Sequence, residues 1–349
     1  MKNIKFVFSP LLTLAVCSVS EAGTMTFTSI DVSGVGMHDT VIHGIDDSYP
    51  GDTVMSSVTG SGRRVNFEAV AGPTGYIFLD PYIPNAGLGT IEVHDINNAH
   101  QIVGSYHDNQ GQWIGNQYVE SDKGFLFQTL GGPFTKIEYP EPYFPRHTDA
   151  NGINDRGQIV GDYTHWDEIS GVGQERGFLR EANGHYVDIA YGITEIYTSL
   201  EGINNSGQIV GHSWFGSVAH GYWGGFVRDA QSNFSGIYVP GSTATWANGI
   251  NDSGEIVGNY GDGITTHGFL YDPYFDSYQT IDFPGASGTH LAAINNAGTM
   301  VGSYRDKNGV HGLVITVPES APAAYFGIGF LMIYLRRALQ CALCKKRSK

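Results

Sequence analysis

Between Gly23 and Val317 the sequence contains no cysteine; Cys17, Cys341 and Cys344 all lie close to the two ends. That absence excludes a disulfide scaffold, so a folded middle must be held by its own apolar core, and about 295 residues suffice for one. Cys341-x-x-Cys344 has no second pair elsewhere to complete a zinc site. Basic residues are also scarce, at 19 Lys+Arg against 34 Asp+Glu for a formal net charge of −15. Eight of the basic residues sit outside the middle: Lys2, Lys5, Arg336, Arg337, Lys345, Lys346, Arg347 and Lys349. The middle is therefore far more acidic than the whole, which excludes nucleic acid as a partner and disfavours anionic membrane. It suits solubility and would attract cations. No apolar run reaches the ~20 residues of a full membrane span.

The chain does contain repeats. Five segments align without gaps, from Asp95-Ile-Asn-Asn, Gly152-Ile-Asn-Asp, Gly202-Ile-Asn-Asn, Gly249-Ile-Asn-Asp and Ala293-Ile-Asn-Asn; a degraded sixth starts at Gly44-Ile45-Asp46-Asp47. The isoleucines fall at 45, 96, 153, 203, 250 and 294. A period of about 50 residues is that of propeller blades rather than of leucine-rich or ankyrin units. Within each unit, Asn-Asp/Asn-x-Gly reads as a hairpin turn, because Asx and Gly tolerate the positive φ of tight turns. Ile159-Val160, Ile209-Val210 and Ile256-Val257 suit a strand buried on both faces. Gly161, Gly211 and Gly258 follow where neighbouring backbones should approach closely. Third strands are expected at segments such as Gly177-Phe-Leu-Arg180, and fourth strands at Tyr186-Val-Asp-Ile189 and its equivalents. In the first unit the fourth strand reduces to about Tyr82-Ile83-Pro84.

The sixth unit lacks a fourth strand before Pro318, whereas Ser29-Ile-Asp-Val32 near the start matches Thr280-Ile-Asp-Phe283. The expected fold is therefore all-β: a β-propeller of about six four-stranded blades, its ring closed by the N-terminal strand. An open β-solenoid, the alternative, would need caps at both ends.

The ends read as targeting segments. Residues 1–22 form a signal peptide, with Lys2 and Lys5 before apolar Phe6 to Val19, and with cleavage between Ala22 and Gly23. Residues 23–317 are the repeat domain. Residues 318–349 hold Pro318-Glu319-Ser320, an apolar stretch from Ala321 to Leu335, and Arg336-Arg337. This tail resembles the PEP-CTERM sorting signal of Gram-negative bacteria, with Ser320 in place of the motif's second proline and a basic extension to Lys349. The resemblance implies a short transmembrane helix, cytoplasmic arginines, transient inner-membrane anchoring and cleavage by an exosortase-type enzyme. Export to the periplasm, the outer surface or the medium follows. The repeats resemble the extracellular HAF-type family through His267-Gly268-Phe269-Leu270-Tyr271, which has Gly for the family's Ala. That family implies export and a repeat fold, and carries no activity onto particular residues.

Catalytic motifs are lacking. There is no H-E-x-x-H, no G-x-S-x-G elbow and no phosphate-binding glycine loop among the 48 glycines. The thirteen histidines are scattered, the nearest together being His38, His43, His94, His100 and His107. No cofactor is implied; calcium at the Asn-Asp/Asn-x-Gly turns is the one ion considered, though the ligand ladder of an EF-hand is absent. Aromatic residues gather in irregular inserts, among them Trp113, Trp166, Trp214 and Trp223, where rings could stack on sugar faces or fill blade interfaces. The reading is a non-enzymatic binding or structural module for an extracellular polysaccharide or surface protein. The alternatives are a glycan-acting enzyme, with Asp162, Asp167 and Glu168 as its first carboxylates, and a calcium-stabilised adhesin. Convergence of the non-repeating polar residues at one mouth of the ring would favour an enzyme, and dispersal over a face a binder.

Overall fold

The computed structural model describes residues 13–20 and, apart from short stretches between strands, 25–317. It contains 25 strands and, among the described residues, no helix. The chain opens with β1 (Thr13–Ser20) and β2 (Thr26–Ser33). Blade 1 follows as β3 (Met37–Ile45), β4 (Thr53–Thr59), β5 (Arg64–Ala69) and β6 (Tyr76–Leu79). Blade 2 is β7 (Glu92–Ile96), β8 (Ile102–Ile114), β9 (Gln117–Phe127) and β10 (Phe134–Ile137). Blade 3 is β11 (Thr148–Ile153), β12 (Ile159–Asp167), β13 (Val172–Arg180) and β14 (Tyr186–Ile189). Blade 4 is β15 (Thr198–Ile203), β16 (Ile209–Ser217), β17 (His220–Arg228) and β18 (Phe234–Ile237). Blade 5 is β19 (Ala244–Ile250), β20 (Ile256–Gly261), β21 (Thr266–Asp272) and β22 (Ser277–Ile281). Blade 6 takes β23 (Gly288–Ile294), β24 (Met300–Asp306) and β25 (Gly309–Thr316) from the end of the chain, and β2 from its beginning.

Each sheet is an antiparallel meander, and the first strands of successive blades pack side by side around a central channel, β23 returning to β3. The ring closes as expected: β2 pairs with β25 from Thr26↔Thr316 to Ile30↔Gly312. Tyr304 adds a buried hydroxyl bond to Ser29 across this join, at 2.9 Å. Outside β2 lies β1, paired from Thr13↔Ser33 to Ser20↔Thr26, so part of the segment read as a signal peptide forms a fifth strand here. The tail from Pro318, with its Arg336 and Arg337, lies outside the described residues, as do Ala22, Gly23 and Glu168.

One expectation is corrected. The fourth strand of blade 1 is Tyr76–Leu79, not residues 82–84; Ile83 is instead buried in the core beside blade 2. The third strand of this blade lacks the Gly-Phe pattern, which hid the strand that follows it.

The repeated residues form the core. Phe125, Phe178, Phe226 and Phe269 are fully buried, one in the third strand of each of four blades, with Leu313 in their place in blade 6. Each phenylalanine lies opposite the glycine of Ile-Val-Gly, in the pairs Gly104↔Phe125, Gly161↔Phe178, Gly211↔Phe226 and Gly258↔Phe269. In blades 2 to 6 a β-bulge in the first strand brings a carbonyl against that glycine, so that a Cβ on Gly161 would lie 1.8 Å from the Asp149 oxygen. The bulge also turns one extra side chain per blade towards the channel: His43, His94, Asn151, Glu201, Asn248 and Ala292.

The Asn-Asp/Asn turns do more than reverse the chain. The first Asn folds its own turn, as Asn204 Oδ1 accepts from the Ser206 and Gln208 N–H groups at 3.0 Å. Its amide then crosses to the next blade: Asn97 donates to Asn154 O, Asn154 to Asn204 O, Asn204 to Asn251 O, Asn251 to Asn295 O and Asn295 to Asp46 O. The second residue alternates around the mouth as Asp47, Asn98, Asp155, Asn205, Asp252 and Asn296. Every backbone N–H in this ring donates to the next residue's Oδ1, closing from Asn296 back to Asp47. Each Asn amide bridges the two flanking carboxylates. The side chains considered as calcium ligands are thus committed to one another.

Strict alternation gives every Asp two amide neighbours. In Asn205→Asp three carboxylates become adjacent and two amide donors are lost. The ring is solvent-exposed, so the expected loss is about 1–2 kcal/mol at low salt. Urea unfolding repeated at 1 M salt should recover part of it, because exposed charges are then screened within about 3 Å.

Candidate functional site

At the mouth opposite the Asx ring, where second and third strands meet in hairpins, the non-repeating residues of blades 3 and 4 converge. His147, just before β11, lies with Nε2 3.0 Å from Asp149 Oδ2, 3.3 Å from Asp162 Oδ2 and 3.6 Å from Glu175 Oε1. Its Nδ1 is 3.5 Å from Asp122 Oδ2 of β9, a carboxylate also bonded to His107 at 2.9 Å. Asp162, on β12, is buried, and its Oδ1 accepts from Asn151 at 2.9 Å and from the Ser199 hydroxyl at 2.8 Å. Ser199 also lies 2.7 Å from Glu201 Oε1, and Glu201 is the bulge residue of blade 4 in the channel wall. One polar chain thus runs from His147 to the central cavity, whose volume is about 630 Å³.

Beside this chain stands an aromatic wall. Trp223 packs edge-on against Tyr197 at 4.6 Å, Trp214 at 5.2 Å and His212 at 5.4 Å. Further out on the same hairpin, Phe215 stacks on Tyr222, and half-exposed Tyr222 and Tyr238 approach within 6.3 Å.

The environments drive neighbouring groups apart. Burial, then the charge of Asp162, pushes Glu175 up to about 7. Burial likewise pushes Glu201 up to about 7 and drives His212 down to about 4. Burial also opposes the charged form of Asp162, but hydrogen bonds from His147, Ser199 and Asn151 outweigh it and hold the carboxyl below its usual range. For His147, burial is outweighed by its carboxylate partners, which hold the imidazolium well above the ordinary histidine range.

Of the residues singled out in the sequence, Trp214 and Trp223 meet in the wall and Asp162 lies at the centre of the polar chain. Trp113 and Trp166 fall in β8 and β12, opposite Tyr118 and Gly173, and their side chains lie outside the described residues, as does that of Asp167. His147, Asp149, Glu175, Tyr197, Ser199, Glu201 and His212 were missed. Their signal is that they break the repeat: Asp149 aligns with Ser199, Trp246 and His290, while Asp162 aligns with His212, Asn259 and Ser303.

Elsewhere in the channel, Asp95 stands where four other blades have glycine, and its Oδ2 accepts from the Ile153 N–H at 3.0 Å. Burial pushes it up to about 7 against the lowering effect of His94, and Asp155 adds to the rise. The folded protein therefore holds this proton between pH 4 and 7 while the unfolded chain releases it, and stability falls as pH rises through that window. Asp95→Asn keeps the acceptor and removes the titration. Relative to it, the wild type should lose about 1–2 kcal/mol between pH 4 and pH 7, channel water screening part of the full effect. Denaturation of both proteins across this range measures the difference directly, with His290 and Glu201 contributing equally to each.

No protein-family model and no curated protein matches the chain. Solved structures similar to it are the β-propeller domain of the Trilobed protease from Pyrococcus furiosus, described as having an open velcro topology (10% identity, TM-score 0.46, 88% of this chain and 93% of that one), Trypanosoma rangeli sialidase in complex with sialic acid (10%, 0.49, 88% of this chain and 59% of that one), and a Streptogramin B lyase (13%, 0.39, 86% and 100%). The β-propeller fold is given by this chain's own ring of four-stranded sheets, and the first of these structures is described by the same word.

Proposed function

We propose that the protein is an exported, envelope-associated module that binds a polyhydroxylated polymer, an extracellular polysaccharide, without transforming it. The observation that supports this is the meeting of an aromatic wall, Tyr197, Trp214 and Trp223, with Asp149, Asp162 and Glu175 at one mouth of the ring. Aromatic faces stack on sugar rings while carboxylates accept from their hydroxyls. Residues 1–22 would leave on export, by cleavage between Ala22 and Gly23, and β2 would become the outer strand of blade 6. The tail bearing Pro318, Glu319, Ser320, Arg336 and Arg337 would hold the chain in the inner membrane until an exosortase-type enzyme cuts it.

Convergence at one mouth favours a second reading, a glycan-acting enzyme on the same polymer. Against it, Asp149 and Asp162 both turn an oxygen onto the same nitrogen, His147 Nε2, at 3.0 and 3.3 Å, so the pair holds one imidazole between them rather than facing each other across an open gap. Two-carboxylate hydrolysis places the acid and its partner about 5–9.5 Å apart across the bond. Co-sedimentation of the purified protein with the host's own exopolysaccharide, followed by product analysis, separates the two. Saturable binding with the polymer intact is expected, and new chain ends would transfer the assignment to the enzyme.

A further inference from the structure

We infer that His147, Asp149, Asp162 and Glu175 form a binding site for one small divalent transition-metal ion of the Zn²⁺ class. The inference goes beyond the polysaccharide reading and does not depend on it. Three carboxylate oxygens surround His147 Nε2 at 3.0, 3.3 and 3.6 Å. With metal–ligand bonds of about 2.0–2.2 Å, the ligands of a four-coordinate ion lie about 3.3–3.6 Å apart. The three Nε2 distances are close to the edges of such a site, and the ligand atoms of His147, Asp149 and Asp162 all lie within 4.8 Å of one another, so that modest movement, with Glu175 drawn in as the fourth ligand, admits an ion among them. One imidazole with three carboxylates suits Zn²⁺, and a Ca²⁺ ion would require six to eight oxygens.

Three further observations support the inference. Among the described residues the buried Asp149 Oδ1 has no hydrogen-bond partner, so this carboxylate, which faces His147 through Oδ2, is only half satisfied and would gain from a cation. The groups behind the candidate ligands are arranged as around a metal. Asp122 faces His147 Nδ1, fixing Nε2 as the ligand nitrogen, while Asn151 and Ser199 hold Oδ1 of Asp162 and leave Oδ2 for the ion. A quarter or so of the His147 and Glu175 side chains is exposed, which provides an entry path. The equivalent positions in blades 4, 5 and 6 hold Ser199 with His212, Trp246 with Asn259, and His290 with Ser303, so the set belongs to blade 3.

The test is metal analysis of the full chain after chelation and reloading with Zn²⁺, Mn²⁺ or Ca²⁺ alone, joined to Co²⁺ substitution read by visible absorption. The expected result is one equivalent of Zn²⁺ per chain and a four-coordinate Co²⁺ spectrum. Uptake should weaken at least tenfold in His147→Gln and in Glu175→Gln. Because His147 is central, Glu175→Gln serves as the variant that keeps the fold, checked by an unchanged circular dichroism spectrum. Asp46→Asn, in the separate Asp46–Asp52–His100 group, should leave uptake unchanged. Absence of saturable Zn²⁺ uptake would overturn the site and leave an imidazolium held by carboxylates. So would uptake undiminished in folded Glu175→Gln, or lost in Asp46→Asn, or selective for Ca²⁺.

Discussion

Gly211→Ala is expected to lower stability by about 3 kcal/mol or more, enough to unfold a marginal domain. The added Cβ would lie 2.1 Å from the carbonyl oxygen of Ser199 and 3.1 Å from Cζ of Phe226. The first contact is with backbone fixed by the bulge between Leu200 and Gly202, so no rotamer change relieves it. Gly207→Ala provides a contrast four residues away. Gly207 has φ +81° and nothing within 4 Å of a Cβ, so only backbone strain of about 1–2 kcal/mol is expected there. Chemical denaturation of the two variants should therefore separate close approach in the strand from left-handed geometry in the turn before it.

The second large effect is expected at Asn204. Its side chain accepts from two turn N–H groups and donates to Gln208 Oε1 and, at 2.9 Å, to Asn251 O of the next blade. Asn204 is 3% exposed, so Asn204→Ala leaves these partners without protein replacements in a nearly dry setting. A loss of about 3–4 kcal/mol follows if two or three buried groups go unpaired. Asn204→Asp should cost less on the turn side, where its oxygen still accepts, and it loses the donation to blade 5. Blade 1 already carries that compromise: Asp46 accepts from Asp52 N–H at 2.7 Å and receives the Asn295 amide on its carbonyl, while a carboxylate cannot donate onward to Asn97. Equilibrium unfolding of both variants checks the order of the two losses.

Much of this architecture was legible because its physics is repeated. The Ile-Asn spacing counted the blades, and the likeness of Ser29–Val32 to Thr280–Phe283 located the closing strand. Glycines 161, 211 and 258 announced close backbone contacts that the structure shows as Gly–Phe pairs beneath bulged carbonyls. The Asx ring was present in the letters as Asp47, Asn98, Asp155, Asn205, Asp252, Asn296. Its meaning required the ring to be closed, since each residue bonds to one about 50 positions away, or 249 for Asn296 and Asp47. The blade 3 site was hidden for a related reason. His147 immediately precedes β11 and Asp149 lies in it, while Asp162, Glu175 and Asp122 come from β12, β13 and the preceding blade, so no local motif forms. Only a comparison of equivalent positions, asking which break the pattern, would have drawn them out.

A central claim follows: ligand is held at the hairpin mouth of blades 3 and 4, against Trp223. The most direct measurement is calorimetric titration of the purified protein and of Trp223→Ala with oligosaccharides cut from the host's exopolysaccharide. Saturable binding by the wild type, at least tenfold weaker in a folded Trp223→Ala, is the predicted result, since one aromatic–sugar contact contributes about 1–2 kcal/mol. Equal binding by both proteins, or none by either, would contradict the claim.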